Sequence, residues 1–176
     1  WMTGAGVLYL KQYCPQIATV FTTHATYLGR AISGNGLPLY KQLTSFNPSE
    51  IASRFNIVSQ QSMEQKATLN ADAFTTVSEI TALECKQFLM REPDVITING
   101  IDAKTKDVDV NGKRAAARAQ ISKIIETLSG TKLPDDAVFI LNSGRYEFKN
   151  KGMDLYIRAL AKLNGNANLK KTIVAV

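Results

Sequence analysis

Two cationic residues, Arg145 and Lys151, bracket a short polar segment between a predicted strand and a predicted helix. A guanidinium can bind two phosphate oxygens at once, whereas a lysine ammonium acts as a compact point charge. In open α/β sheets, ligands bind beyond the carboxyl ends of the strands, and a helix start offers unpaired N–H groups to anions. The pair therefore predicts a diphosphate site, although an ordinary solvated basic loop has the same spacing.

His24 is the single histidine of the chain, and it follows a β-branched and aromatic run at 17–23 that indicates a buried strand. A histidine at a strand end can take part in binding or catalysis, but it can equally be a structural or surface residue. Neither an acidic partner nor a nucleophile lies beside it in the sequence. The residue pattern alone leaves both interpretations open.

The first hundred residues alternate between predicted strands and helices. Asn47 followed by Pro48 predicts a helix start, and Ser78 predicts another. The predicted elements are helices over 47–55 and 57–70, a strand over 73–77, a helix over 78–90 that buries Ile80, Leu83, Phe88 and Leu89, and a strand over 95–98. This alternation is typical of an α/β fold with a parallel sheet.

The last third of the chain predicts a second βαβ unit after a polar, turn-rich linker at 102–112. The predicted elements are a helix over 113–128 with an apolar face of Ile121, Ile124, Ile125 and Leu128, a strand over 137–141, a helix over 152–163 and a final strand over 172–176. Gly130 stands where a helix C-cap belongs.

Composition limits the class of protein. The chain has 176 residues, a length for one domain or two small ones, and 45% of them are hydrophobic, which is ordinary for a globular protein. It lacks the run of about 18–20 apolar residues that a membrane span needs. Cys14 and Cys85 lie far apart without a CxxC pattern, which indicates reduced thiols in a cytoplasmic protein rather than a zinc site or a disulfide.

The net charge of +6 lies entirely in residues 101–176, where 14 basic residues face 8 acidic ones. This asymmetry permits an alternative function, a phosphate or nucleic-acid binding module with Lys113, Arg114 and Arg118 as a helical stripe. No aromatic platform accompanies that stripe, so solvated surface is the competing interpretation. A purely structural α/β scaffold is a third option.

The segment Gly-Arg-Tyr-Glu-Phe-Lys-Asn-Lys-Gly at 144–152 closely resembles the start of the carboxyl-terminal domain of the eukaryotic-type glycogen synthases. The resemblance implies that Arg145 and Lys151 hold the diphosphate of a UDP-glucose donor. It also places Gly144 among the substrate-binding residues.

The segment Thr-Val-Phe-Thr-Thr-His-Ala-Thr-Tyr-Leu-Gly-Arg at 19–30 is similar to one in the amino-terminal domain of the same family. The similarity implies that His24 lies in the sugar-binding cleft and that Arg30 points toward the donor phosphates. Segments 1–4, 74–84 and 91–102 also match in order, although Ile98 stands where the family usually has proline. Residues 74–94 are expected to be mainly scaffold, and Asn99 and Gly100 either touch the sugar or merely end a strand.

The resemblance implies an α/β fold of Rossmann-like parallel sheets, part of a two-domain GT-B glycosyltransferase. Residues 1–101 would end the amino-terminal domain, 102–133 would connect, and 134–176 would begin the nucleotide-binding domain. The intact enzyme would transfer glucose from UDP-glucose to the 4-hydroxyl of a non-reducing α-1,4-glucan end, with retention. No metal or other cofactor, nucleic acid or membrane is expected, and a homo-oligomer is an open option. We expect this chain to be a piece of a longer protein, inactive alone.

Overall fold

A computed structural model describes residues 1–102 and 109–176. The chain divides into two compact units, Trp1–Gly100 with Glu147–Asn150, and Ile101–Tyr146 with Lys151–Val176. The strands are β1 (Val20–Thr23), β2 (Ala73–Thr76), β3 (Val95–Ile96), β4 (Val138–Ile140) and β5 (Ile173–Ala175). The α-helices are α1 (Gly4–Tyr13), α2 (Tyr27–Gly34), α3 (Pro48–Arg54), α4 (Val58–Asn70), α5 (Glu79–Glu84), α6 (Val110–Ser129) and α7 (Met153–Asn164).

The first unit is built on a parallel three-stranded sheet with the order β1-β2-β3. Thr23 of β1 pairs with Thr76 of β2, which pairs with Ile96 of β3, so the three strands end at one edge. The predicted parallel sheet is confirmed. The strands are shorter than predicted: β1 begins at Val20 rather than at residue 17, and β3 ends at Ile96 rather than at residue 98.

The core of this unit lies between the sheet and the helices that connect its strands. The rings of Phe21 and Phe74 stack across β1 and β2 with centroids 6.3 Å apart, and both are buried. Burying a phenylalanine stabilises a fold by roughly 1.5–3 kcal/mol. Helix α1, which the sequence patterns did not predict, packs on α4 so closely that a Cβ on Gly4 would lie 2.8 Å from the Cβ of Ala67.

The predicted helix starts are present. The Asn47 side chain accepts hydrogen bonds from the N–H groups of Ser49 and Glu50, and Pro48 occupies the first turn of α3. The Ser78 hydroxyl accepts a hydrogen bond from the N–H of Thr81 at the start of α5. These side chains satisfy N–H groups that have no partner within their own helices.

The predicted buried face of the helix after Ser78 is partly wrong. Phe88 and Leu89 are fully buried, but Ile80 and Leu83 are 54% and 56% exposed. The inward face of α5 instead carries Thr81 and Glu84, and it continues into a π-helical turn at Cys85–Leu89. The wider turn resets the phase of the helix, so the apolar residues on either side of it face different directions.

Residues 91–94 have the scaffold role expected of them. The Arg91 guanidinium donates to the carbonyls of Thr68 and Ala71 at 2.7 and 2.8 Å, and it also contacts the Asp94 carboxylate. Asp94 in turn accepts a hydrogen bond from the N–H of Phe74. The segment thus ties the end of α4 to the central strand.

The second unit contains the parallel pair β4 and β5, joined by α7. The predicted βαβ unit is confirmed. Helix α6 begins at Val110, because Asp109 caps it by accepting from the N–H of Gly112, and it ends at Gly130 in the left-handed conformation. The predicted linker is therefore wrong over residues 110–112, and residues 103–108 lie outside the described residues. The face of Ile121, Ile124, Ile125 and Leu128 has no fully buried member among them.

Candidate functional site

His24 lies immediately after β1, at the edge where the parallel strands of the first unit end. It belongs to a three-residue connection that leads into α2, and its side chain is exposed. Thr26 caps α2, because its hydroxyl accepts a hydrogen bond from the N–H of Gly29 at 3.0 Å. The capped helix was not predicted, but its first turn presents Arg30 close to the same edge.

A buried carboxylate, Glu64 of α4, spans the connection that carries His24. One oxygen accepts from the hydroxyl of Thr23 at 2.6 Å, and the other accepts from the N–H of Tyr27 at 2.8 Å. Thr23 is the last residue of β1 and Tyr27 is the first of α2, so Glu64 joins both ends of the turn. Burial raises the pKa of Glu64 above its usual range, although the hydrogen bonds from Thr23 and Tyr27 oppose this increase.

A second buried carboxylate, Glu84 at the end of α5, holds the first turn of α2. It accepts hydrogen bonds from the hydroxyl of Thr26 at 2.6 Å and from the hydroxyl of Tyr40 at 2.7 Å. Burial raises the pKa of Tyr40, and the hydrogen bond to Glu84 adds to the effect. A Cβ on Gly29 would collide with the Glu84 carboxylate, so glycine is required by space at this position.

Sequence reasoning missed Glu64, Glu84 and Tyr40 as residues that shape this site. Buried carboxylates are rare unless they are paired, so a glutamate in a helix is by default assigned to the surface. One signal was present in α4: Gln61, Glu64 and Thr68 occur at the spacing of one helix face, and that face is buried. A polar stripe with core spacing indicates an internal hydrogen-bond network.

The Arg30 side chain is partly exposed, and its guanidinium lies 3.9 Å from the Glu147 carboxylate within the first unit. The Arg30 carbonyl also accepts a hydrogen bond from the Asn150 amide at 3.3 Å. Exposed ion pairs at this distance contribute about 0–1 kcal/mol, so the contact leaves the guanidinium able to exchange partners.

Asn99 and Gly100 lie three and four residues beyond β3, at the edge shared with His24. Both are exposed. The N–H of Thr97 still donates to the carbonyl of Thr76 at 2.7 Å, so the chain leaves the sheet only after that residue. Their contact with a sugar stays a prediction.

In the second unit, Arg145 and Lys151 lie on the connection between β4 and α7, as predicted. Both side chains are exposed. The methylene groups of Lys151 lie 3.5 Å from the position of a Cβ on Gly144, so the two predicted residues are neighbours across the turn. This distance is an ordinary van der Waals contact, and the site does not require glycine there for space.

The start of α7 differs from the start of α2. Gly152 occupies the N-cap in the left-handed conformation, with φ of 68°, and across residues 109–176 no side chain is seen to cap it. The N–H groups of Tyr27 and Gly29 in α2 instead already donate to Glu64 and Thr26. Uncapped N–H groups and the positive end of the helix dipole favour an anion, so α7 is the better suited of the two.

The helical stripe of Lys113, Arg114 and Arg118, on which the alternative function depends, includes one residue that packs against the protein. Arg118 donates to the carbonyls of Asp135 and Ala137 at 2.8 and 2.5 Å, and its guanidinium stacks 4.8 Å from the centroid of Phe139. These contacts join α6 to the segment that leads into β4. Because Arg118 makes these packing contacts, it is not available to bind a polyanion together with Lys113 and Arg114.

The two cysteines are free, and Cys85 is fully buried. Burial raises the pKa of the Cys85 thiol to about 12, so it stays protonated and unreactive at neutral pH. Within residues 1–102 and 109–176, no three His, Cys, Asp or Glu side chains are grouped to hold a metal ion. The same part of the chain has no helix that is long and apolar enough to cross a membrane.

The structure thus brings His24 and Arg30 to one strand edge of the first unit, and Gly144 and Lys151 to one turn of the second. The profile of the glycogen synthase family matches residues 1–176, the whole chain. The chain belongs to the glycogen synthase family. Three glycogen [starch] synthases show the relation in detail, and the chain spans about a quarter of the length of such relatives. The Caenorhabditis elegans protein is 39% identical over 93% of this chain and 25% of its own length, the Rattus norvegicus liver protein 36% over 100% and 26%, and the Dictyostelium discoideum protein 34% over 99% and 21%.

Membership in the glycogen synthase family confirms the resemblance inferred from the segments at 19–30 and 144–152. It agrees with the α/β architecture of parallel sheets that the structure shows. The roles of His24, Arg30, Arg145 and Lys151, and their approach to one cleft, stay predictions.

Proposed function

We propose that this chain is the central segment of a retaining glucosyltransferase that transfers glucose from UDP-glucose to the 4-hydroxyl at the non-reducing end of an α-1,4-glucan. The observation that carries the proposal is the turn between β4 and α7. There, Arg145 and Lys151 bracket the approach to the start of α7, where Gly152 occupies the N-cap position in the left-handed conformation and no side-chain hydrogen bond caps the helix within the described residues. Family membership supplies the reaction class.

The chemistry follows from the charge that develops on the leaving group. When the bond between glucose and the diphosphate breaks, negative charge accumulates on the departing UDP, and fixed cations stabilise it. Arg145 would bind two phosphate oxygens, Lys151 would contribute a point charge, and the first N–H groups of α7 would complete the site. Arg30 would add charge from the first unit, and this set would act without a metal or other cofactor.

The sugar would lie at the strand edge of the first unit. His24 projects from the end of β1, and Asn99 and Gly100 follow β3 at the same edge. We assign His24 to glucose positioning, and Asn99, Gly100 and Gly144 to substrate contact. We further propose a two-domain GT-B architecture, with residues 1–101 in one domain, 134–176 in the other and 102–133 between them, in a cytoplasmic protein.

The test uses the full-length protein that carries this segment. Glucose incorporation into glycogen from labelled UDP-glucose is measured for Arg145→Ala and Lys151→Ala, with Lys162→Ala as the control because Lys162 is an exposed cation at the other end of α7. We expect kcat to fall by about 10²–10³ for each of the first two variants, the effect of removing one transition-state charge partner. Wild-type rates in both variants would refute the proposed site.

A further inference from the structure

Glu84 is a buried carboxylate whose hydrogen bonds within the described residues go to Thr26 and Tyr40, and it holds the turn that carries Arg30. We propose that Glu84 is a positioning residue for Arg30. The side chain is 5% exposed, and its two oxygens accept hydrogen bonds from Thr26 at 2.6 Å and from Tyr40 at 2.7 Å. Both donors belong to the segment that begins after β1.

The path from Glu84 to Arg30 runs through Thr26. A threonine hydroxyl has one proton, and Thr26 gives it to Glu84, so the oxygen lone pairs face the N–H of Gly29 at 3.0 Å. The Thr26 carbonyl accepts the N–H of Arg30 at 3.1 Å. One residue therefore fixes two successive amides of the first turn, and Glu84 fixes the rotamer of that residue.

Close packing also restricts the position of Gly29, which precedes Arg30. A side chain on Gly29 would overlap the Glu84 carboxylate, and its Cβ would lie 2.6 Å from the Thr26 hydroxyl. The first turn of α2 thus rests directly on the carboxylate. Arg30 follows Gly29 in the chain, so the direction in which its side chain leaves the helix depends on the same contact.

The inference rests on the proposed function, in which Arg30 binds the donor phosphates. Displacing a catalytic group by about 1 Å can lower the reaction rate about a hundredfold. A buried residue that fixes the turn carrying such a group therefore affects the rate without touching the substrate. Glu84 acts through Arg30 alone in this account. Its loss therefore has no further effect on donor binding once the Arg30 guanidinium is gone.

The experiment is a double-mutant cycle in the full-length protein that carries this segment. The KM for UDP-glucose, kcat and the melting temperature are measured for Glu84→Ala, Arg30→Ala and the double variant. We expect each single variant to lower kcat/KM for UDP-glucose at least about tenfold, and the double variant to match Arg30→Ala. Glu92→Ala is the control and should behave as wild type, because Glu92 is an exposed carboxylate paired only with Lys86 among the described contacts.

A conservative variant tests whether the hydrogen bonds of Glu84, rather than its charge, position Arg30. In Glu84→Gln the amide oxygen can accept from Thr26 and the amide nitrogen can donate to Tyr40, so we expect it to recover most of the kcat/KM lost in Glu84→Ala. Where Glu84→Ala does not fold, Tyr40→Phe replaces it in the cycle, since it removes one hydrogen bond to Glu84 and leaves no void. It should raise the KM for UDP-glucose, and only when Arg30 is present.

Two results would overturn the proposal. In one, Glu84→Ala or Tyr40→Phe lowers the melting temperature but leaves the kcat/KM of the folded protein unchanged. In the other, its effect on kcat/KM adds in full to that of Arg30→Ala. Wild-type kinetics in Arg30→Ala would instead refute the role of Arg30 in the proposed function, which is a distinguishable failure.

Discussion

Two glycines in the first unit occupy helices but have opposite surroundings. A Cβ on Gly6 of α1 would meet no atom within 4 Å, whereas a Cβ on Gly29 of α2 would collide with Glu84. Replacement by alanine therefore tests packing at Gly29 and the conformational entropy of the backbone at Gly6. This contrast is invisible in the sequence, because the atoms that approach Gly29 belong to Glu84, 55 residues further along the chain.

We expect Gly29→Ala to destabilise the first unit by about 1–3 kcal/mol, the cost of overpacking a closed site. Gly6→Ala should stabilise it by about 0.5–1 kcal/mol, because alanine restricts the unfolded chain and fits an open helix position. Trp1 is the only tryptophan, and its ring lies 5.9 Å from that of Tyr27, so its fluorescence during urea unfolding reports on this unit. Equal stability of the two variants would contradict the account of Glu84.

Single residues with a strong chemical signature were predictable from the sequence. His24 stands out because it follows a predicted strand, and Arg145 because it lies between a predicted strand and a predicted helix. The structure places both residues on strand-to-helix connections. The hydrogen-bond partners of Glu64 and Glu84 were not predictable, because they are hydroxyl and amide groups 37–58 residues away in the chain. A local pattern carries no information about those partners.

At the scale of elements, the junction of β1 and α2 depends on Glu64 of α4. Its pKa is raised by burial, so the folded protein keeps the proton to a higher pH than the unfolded chain does. The stability contributed by this group is thus fully present below about pH 4.3, the ordinary pKa of glutamate, and it is lost as the pH rises through the folded value. At neutral pH the charged carboxylate lowers the stability of the fold relative to a neutral side chain.

Glu64→Gln should remove that pH dependence. The amide oxygen can accept from Tyr27, and the amide nitrogen can donate to Thr23, whose hydroxyl can turn to the Ala25 carbonyl 3.3 Å away. We expect the stability of Glu64→Gln relative to wild type to increase with pH above about 4.3, by at most about 1.4 kcal/mol per pH unit. Urea unfolding followed by Trp1 fluorescence from pH 4 to 8 measures it, and a difference that is constant with pH would contradict the assignment.

The alternation of strands and helices was predictable, whereas faces and boundaries were less so. Apolar periodicity and helix-capping residues predicted a parallel sheet in each unit, because buried strands and capped helices have strong local signals. The periodicity failed at Ile80 and Leu83, since a π turn at Cys85–Leu89 changes the helix phase and has no sequence signature. It also missed the capped start of α6 at Asp109, which lies inside a polar segment that indicated a linker.

At the scale of the whole molecule, the chain consists of two α/β units with parallel strands, and in each unit the candidate functional residues follow the end of a strand: His24 and Arg30 in the first, Arg145 and Lys151 in the second. The concentration of charge in residues 101–176 has two physical uses in the structure. Arg118 packs on Phe139 and binds backbone carbonyls, while Arg145 and Lys151 flank the start of α7. The net charge alone could not separate these uses.

The central proposal is that Arg30, Arg145 and Lys151 bind the diphosphate of the donor in the full-length protein. A crystal structure of the full-length protein with UDP bound measures this directly. We expect side-chain nitrogens of Arg30, Arg145 and Lys151 to lie about 2.7–3.2 Å from diphosphate oxygens. A diphosphate that is bound with none of these three side chains within hydrogen-bond distance would contradict the account.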